Sequence, residues 1–213
     1  MIKYKYIMWD WNGTLLNDVG ASLSSVNDML AKRNMPPMDI ERYKDIIGVP
    51  IRRFYEKAFD LSKENYDEIL RDYNEGYLRH LPEHGLTDGV PEMLEYFKNE
   101  GCTQLIISSS NNEQLTTNVK KFGVYDYFDA VLGAEGYKAE SKIERAVNYL
   151  KNHEEGKVLV IGDLVHDWEM AKEIGADCVL ITSGHEKLER MLNCSAKIVD
   201  NIADIKDFCQ AEN

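Results

Sequence analysis

Tyr6-Ile7-Met8-Trp9-Asp10-Trp11-Asn12-Gly13-Thr14-Leu15 is the stretch whose reading decides the fold. An apolar run ends abruptly in an aspartate, followed within four residues by an amide, a glycine and a threonine. The run predicts a buried strand of a parallel sheet, with Asp10 at its carboxyl end, where open α/β sheets place their ligands. A carboxylate there can act as a nucleophile or a metal ligand. Gly13 permits a tight turn that brings backbone amides toward an anion, and the Thr14 hydroxyl can fix that turn. Asn12-Gly13 is equally an ordinary turn signal.

From about residue 100 onward, short apolar runs alternate with amphipathic stretches. The runs are Leu105–Ile107, Ala130–Leu132, Val158–Ile161 and Cys178–Ile181, with a weaker one at Ile198-Val199. Between them, Glu113–Phe122 ends at Gly123, Lys142–Leu150 has helical spacing, and Trp168–Ile174 ends at Gly175. Glycine just past a periodic stretch is the expected helix stop. Such alternation predicts right-handed crossovers and a parallel sheet covered on both faces. Residues 16–84 carry no strand signal. Val19, Leu23, Val26 and Leu30 share one helical face, as do Tyr66, Ile69, Leu70 and Tyr73. Pro50 is placed to open a further helix through Arg52 and Arg53. The expectation is an α/β protein: a Rossmann-like core of residues 1–16 and 85–213, with an all-helical insertion, 17–84, after the first strand.

Three later strand ends carry polar groups of a kind that can join Asp10. Ser108, with Ser109 beside it and backbone amides near, can hold a phosphoryl oxygen; Ser108–Ser110 is also readable as a polar loop, with Ser110 or Asn111 capping a helix. Lys142 opens a helix shortly after the run at Val131-Leu132, and its ammonium can reach back to the sheet edge, with Lys138 as a nearby competitor. Gly162-Asp163-Leu164-Val165-His166-Asp167 places two carboxylates four residues apart after an apolar strand, an oxygen-rich set suited to Mg²⁺. Capping of the next helix explains one of these aspartates and not both.

The chain has 213 residues, 44% of them hydrophobic, and a net charge of −12. That acidity disfavours nucleic acid and anionic lipid as partners, so a phosphorylated substrate needs local positive charge or a metal. Cys102, Cys178, Cys194 and Cys209 form no CxxC pair, which argues against a structural zinc site and a disulfide framework. No span has the roughly 18 apolar residues of a membrane helix, and no leader pattern is evident. A cytoplasmic setting is expected.

Asp10, Ser108, Lys142 and the Asp163/Asp167 pair, in this order and strand-end context, resemble the haloacid dehalogenase superfamily. The similarity is greatest to its phosphoglycolate-phosphatase and β-phosphoglucomutase branch, and Leu86–Leu94 resembles that branch's re-entry into the core. The resemblance implies a hydrolase for a small phosphorylated metabolite, in which Asp10 attacks phosphorus and becomes an aspartyl-phosphate that water then hydrolyses. It assigns Mg²⁺ to Asp10, Asp163 and the backbone carbonyl of Asn12, with Asp167 supporting the metal's waters. Ser108, Ser109, Lys142, Gly13 and Thr14 would surround the phosphoryl group. Position 12 departs from the pattern: phosphatases of the superfamily have an acid/base aspartate there, and Asn12 transfers no proton. General acid–base help is worth roughly 10²–10⁴-fold. Activated substrates such as acyl or aryl phosphates would need less of it, and His166, His80 or His84 could stand in. The alternative is a catalytically impaired phosphate-binding or regulatory protein. A phosphonatase-like C–P hydrolase is a minor alternative, since Ile47–Arg52 lacks that subgroup's Schiff-base lysine. Substrate choice is expected in the insertion, where Arg52 and Arg53 can pair with a second anionic group or with Glu56 or Glu41.

Overall fold

The computed structural model describes residues 2–135 and 141–211. In chain order the elements are β1 (Tyr6–Trp9), α1 (Val19–Lys32), α2 (Ile40–Ile46), α3 (Ile51–Ala58), α4 (Tyr66–His80), α5 (Val90–Asn99), β2 (Thr103–Asn111), α6 (Asn112–Lys121), β3 (Ala130–Ala134), α7 (Lys142–Lys151), β4 (Val158–Gly162), α8 (Val165–Ile174), β5 (Asp177–Ile181), α9 (Leu188–Met191), β6 (Lys197–Val199) and α10 (Ile205–Ala211). The six strands form one parallel sheet in the order β3-β2-β1-β4-β5-β6. β1 is central, and the order reverses beside it, the position at which such sheets open a crevice.

The period-two rule explains why these runs are apolar throughout. Ile7, Trp9, Ile106, Leu159, Ile161, Val179 and Ile181 pack into one apolar cluster with Val90, Leu94 and Phe97 of α5. Their neighbours Tyr6, Met8, Leu105, Ile107, Val158, Val160, Cys178 and Leu180 pack into another with Ala146 of α7 and Met170 of α8. Helices thus seal both faces, as the alternation predicts.

Two boundaries differ from the sequence reading. β2 runs on through Ser108–Ser110 to Asn111, with a register shift against β3 between Ile107 and Asn111. The serines therefore line a strand end rather than a loop, and Asn111 caps α6, accepting from Gln114 N at 3.1 Å. α8 begins at Val165 rather than Trp168, which puts Asp167 in its first turn.

α1–α4 lie between β1 and β2 with an apolar cluster of their own, including Val26, Met29, Tyr43, Phe54, Tyr55 and Ile69. The segments entering and leaving them run side by side: Leu16 bridges Leu86, Asn17 N donates to Gly85 O at 2.9 Å, and Thr87 N donates to Leu15 O at 2.9 Å. Away from these segments, α2 meets the loop after β5. Lys187 pairs with Asp45 at 2.5 Å, and Arg190 Nη2 donates to Lys44 O at 2.6 Å.

Candidate active site

Parallel register brings the strand-end groups together. Trp9 lies opposite Ile106 on one side and Ile161 on the other, so the residues just beyond, Asp10, Ser108 and Asp163, share one edge. Asp10 N donates to Ile161 O at 2.8 Å, which fixes the aspartate beside β4. Lys142, the first residue of α7, reaches back with its ammonium 2.5 Å from Asp10 Oδ1, and it also contacts the Asp167 carboxylate. All five of these residues are buried. Lys138, the competing lysine, lies outside the described residues.

Asp10, Asp163 and Asp167 each present an oxygen within 4.8 Å of the others. Three buried carboxylates face the single Lys142 ammonium, and the electrostatics register the imbalance. Burial pushes the Asp10 and Asp163 carboxyls well above their ordinary range, against the opposing pull of Lys142 on Asp10 and of His185 on Asp163. Burial would lower the Lys142 ammonium, but Asp10 and Asp167 outweigh it and hold it charged. A hard-oxygen set short of positive charge fits a hard divalent cation such as Mg²⁺. Asp167 also does the capping work weighed from sequence, since its other oxygen accepts from Leu164 N at 3.0 Å.

Gly13 and Thr14 hold the acids rather than face the cavity. The Thr14 hydroxyl donates to Asp163 Oδ1 at 3.2 Å, and Gly13 N donates to Asp18 Oδ1 at 2.7 Å and to Leu16 O at 2.9 Å. Gly13 has φ +75°, and a Cβ there would overlap the Asp163 carboxylate and the His185 ring. The glycine is required for close packing of the acids. The expected role of these two residues at the phosphoryl group is therefore corrected.

Asn12 is saturated. Its Oδ1 accepts from Ser110 Oγ at 2.7 Å, and its Nδ2 donates to Asp18 Oδ2 at 2.7 Å and to the Tyr77 hydroxyl at 3.0 Å. Asp18 and His185, neither anticipated from sequence, complete this network. Tyr77 donates to Asp18 Oδ2 at 2.8 Å, His185 Nε2 lies 3.3 Å from Asp18 Oδ1, and its Nδ1 lies 2.8 Å from the Tyr43 hydroxyl. Burial would raise the Asp18 carboxyl, but hydrogen bonds and charge from His185, with Asn12 and Tyr77, hold it below its usual range. Burial disfavours the His185 imidazolium, yet Asp18, Asp163 and Asp10 raise it to about 9. His185 could have been found by extending the strand-end rule to Thr182-Ser183-Gly184-His185, just past β5. Asp18 reads as a helix N-cap, although its side chain makes no cap bond to α1.

These groups open onto a cavity of about 410 Å³. Asp10, Asn12, Ser108, Ser109, Lys142 and Asp167 line its floor, and Tyr43, Tyr55, Tyr73 and Tyr77 of the helical insertion line its far side. Trp11 also borders it, and its buried indole N–H has no acceptor among the described residues. Arg52 and Arg53 do not line it. Arg52 binds Glu56 at 3.0 Å and stacks over the Tyr66 ring, because α3 turns that face to solvent. Of the three histidines considered as proton carriers, only His166 borders the cavity; His80 hydrogen-bonds Asp28 at 2.9 Å.

The model of the family described as haloacid dehalogenase-like hydrolase matches residues 7–181. A 5'-nucleotidase of Pseudomonas aeruginosa is 25% identical over 187 residues, covering 86% of this chain and 85% of that protein. Phosphoglycolate phosphatase 1 of the same organism is 24% identical over 213 residues, covering 94% of this chain and 78% of its own. A haloacid dehalogenase-like family hydrolase from Streptococcus pneumoniae superposes with a TM-score of 0.83 at 19% identity, covering 97% of this chain and 98% of its own. With the family model spanning most of its length and the parallel-sheet edge carrying the acids, the chain belongs to the haloacid dehalogenase-like hydrolases.

Proposed function

We propose that the protein is a Mg²⁺-dependent phosphatase acting on a small phosphorylated metabolite in the cytoplasm. The observation that carries this reading is the convergence of Asp10, Asp163, Asp167 and Lys142 at one strand edge, with Asp10, Asp167 and Lys142 on the floor of the cavity. The phosphatase names of relatives support it. In this reading residues 17–84 form a cap over a core of residues 1–16 and 85–213. Asp10, Asp163, Asp167 and the Asn12 carbonyl hold Mg²⁺, which when bound supplies positive charge to the phosphoryl oxygens. Asp10 attacks phosphorus and the bond to the leaving oxygen breaks. Lys142 and Ser108 hold the phosphoryl oxygens and, together with Lys142's positive charge, keep the two anionic partners together. Water then releases phosphate from Asp10. Asn12 contributes shape and hydrogen bonds but no proton.

Release of inorganic phosphate over many turnovers, with alkyl, aryl and acyl phosphates, tests the proposal. Asp10→Asn is expected to reduce every rate to background, because an amide cannot form the acyl-phosphate. A rate that survives Asp10→Asn would place the chemistry elsewhere. The saturated hydrogen bonding of Asn12 favours a second reading, a phosphate-binding protein of low turnover; that reading predicts Mg²⁺-dependent binding with rates no higher than those of Asp10→Asn. A C–P hydrolase has less support, since among the described residues only Lys142 brings an amine to the cavity.

Metal and pH act together. In EDTA, stability is expected to fall as pH rises from about 4 toward 8, because the folded state retains protons on Asp10 and Asp163 that the unfolded chain has released. His185, raised in the folded state, adds to the same fall at the upper end. Mg²⁺ at roughly 100 times its dissociation constant is expected to raise Tm by about 5–10 °C and flatten the carboxylate part of this slope. Thermal melts at pH 5 and 8, with and without Mg²⁺, measure it. A metal-induced rise unchanged in Asp163→Asn would rule out this carboxylate set as the binding site.

A further inference from the structure

Four tyrosines line the cavity away from the acids, and the hydroxyls of three of them are already engaged. The Tyr43 hydroxyl is held by His185, Tyr73 donates to Ser22 at 3.1 Å, and Tyr77 donates to Asp18. What these residues offer a ligand is ring surface. Tyr73 and Tyr77 stack with centroids 5.9 Å apart, and Tyr55 meets Tyr73 edge-on at 6.1 Å. Val49 and Ile51, both large and exposed, border the same wall.

Charge points the same way. Among the described residues, the cations lining the cavity are Lys142 and, when protonated, His166 and His185. Lys142 is engaged by Asp10 and Asp167, His185 by Asp18, and His166 by Glu169 at 3.1 Å. Among the described residues no arginine lines the cavity, and Asp18 and His185 offset each other's charge, leaving no spare cation for a second anion. Gln114 and Asn118 of α6 also border it, and among the described residues no hydrogen bond engages their side-chain amides. Uncharged amides can donate to and accept from the edge of a polar ring without demanding a charge. A space of about 410 Å³ is far more than one phosphoryl group fills.

Resting on the phosphatase reading above, we infer that the substrate's leaving group is uncharged and carries a flat aromatic or heteroaromatic ring, seated between the tyrosines and the α6 amides. Compact substrates with a second anionic group, such as a carboxylate, bind more weakly. This places specificity in Tyr43, Tyr55, Tyr73 and Tyr77 on one side and in Gln114 and Asn118 on the other.

Non-hydrolysable phosphonates test recognition apart from turnover. Calorimetric titration in Mg²⁺ compares benzylphosphonate, propylphosphonate and phosphonoacetate. Benzylphosphonate is expected to bind at least about tenfold more tightly than either of the others. Ile51→Arg, which adds a cation to an exposed cavity position, is expected to tighten phosphonoacetate and shrink that ratio. Equal affinities for the three ligands, or preference for phosphonoacetate in the unaltered protein, would overturn the inference while leaving the phosphatase reading standing. Absence of Mg²⁺-dependent binding by all three, and by inorganic phosphate, would overturn both.

Discussion

Asn12→Asp is expected to raise hydrolysis of unactivated alkyl phosphates by about 10²–10⁴-fold. The new carboxylate would take the place of an amide whose nitrogen lies 2.7 Å from Asp18 Oδ2. Two carboxylates that close cannot both ionise, so the pair keeps a proton near neutral pH. A proton kept there is what a leaving alkoxide needs. Ser110 can still donate to the remaining oxygen, so the side chain stays in place. The gain should be largest for alkyl and smallest for aryl or acyl phosphates, whose leaving groups need little protonation. Measuring kcat/KM across a series of leaving groups separates this from a general improvement in binding. A uniform gain, or none, would show that the missing carboxylate is not what limits the enzyme.

Lys142→Met is expected to abolish turnover and, in the absence of metal, to cost roughly 3–5 kcal/mol of stability. The ammonium sits between Asp10 and Asp167 with almost no exposure, and truncation leaves both buried acids without their counter-charge. At about 2–4 °C per kcal/mol, Tm should fall by about 6–20 °C. Mg²⁺ should recover part of that loss, because a divalent cation among the same oxygens supplies the missing charge. Calorimetry with EDTA and with Mg²⁺ measures both. An unchanged metal-free Tm would mean that Lys142 is not the counter-ion of these acids.

What could be read from the sequence was what local pattern encodes. Apolar runs at Tyr6–Trp9 and Val158–Ile161 specify buried strands because both faces of a parallel sheet are covered, and a polar residue at such a strand's end has few places to point. Asp10, Ser108 and Asp163 were legible for that reason, and Lys142 and Asp167 as charged residues opening the helices that follow such strands. The Asp18–His185–Tyr43 chain was not, because it joins positions up to 167 residues apart through hydrogen bonds that leave no periodic trace. Gly13 and Thr14 were placed at the right edge but assigned the wrong partner: a turn that presents amides to an anion and a turn that makes room for a neighbouring carboxylate have the same composition. Arg52 and Arg53 show a further limit. A short helix's rotation about its axis depends on what it packs against, and the burial of Phe54, Tyr55 and Ala58 left both arginines outside.

The paired connections at Leu16 and Leu86 have a mechanical corollary. Two tethers lying against each other would give α1–α4 one axis to turn about, and a turn about it would open the rim where α2 meets Lys187 and His185. A molecule entering from that rim must part the exposed Lys187–Asp45 pair, which resists little, and the enclosed Tyr43–His185 contact, which resists more. Admission and the polar chain behind Asn12 are thus tied to one imidazole, so a ligand that pries the rim apart also disturbs the partners of Asp18.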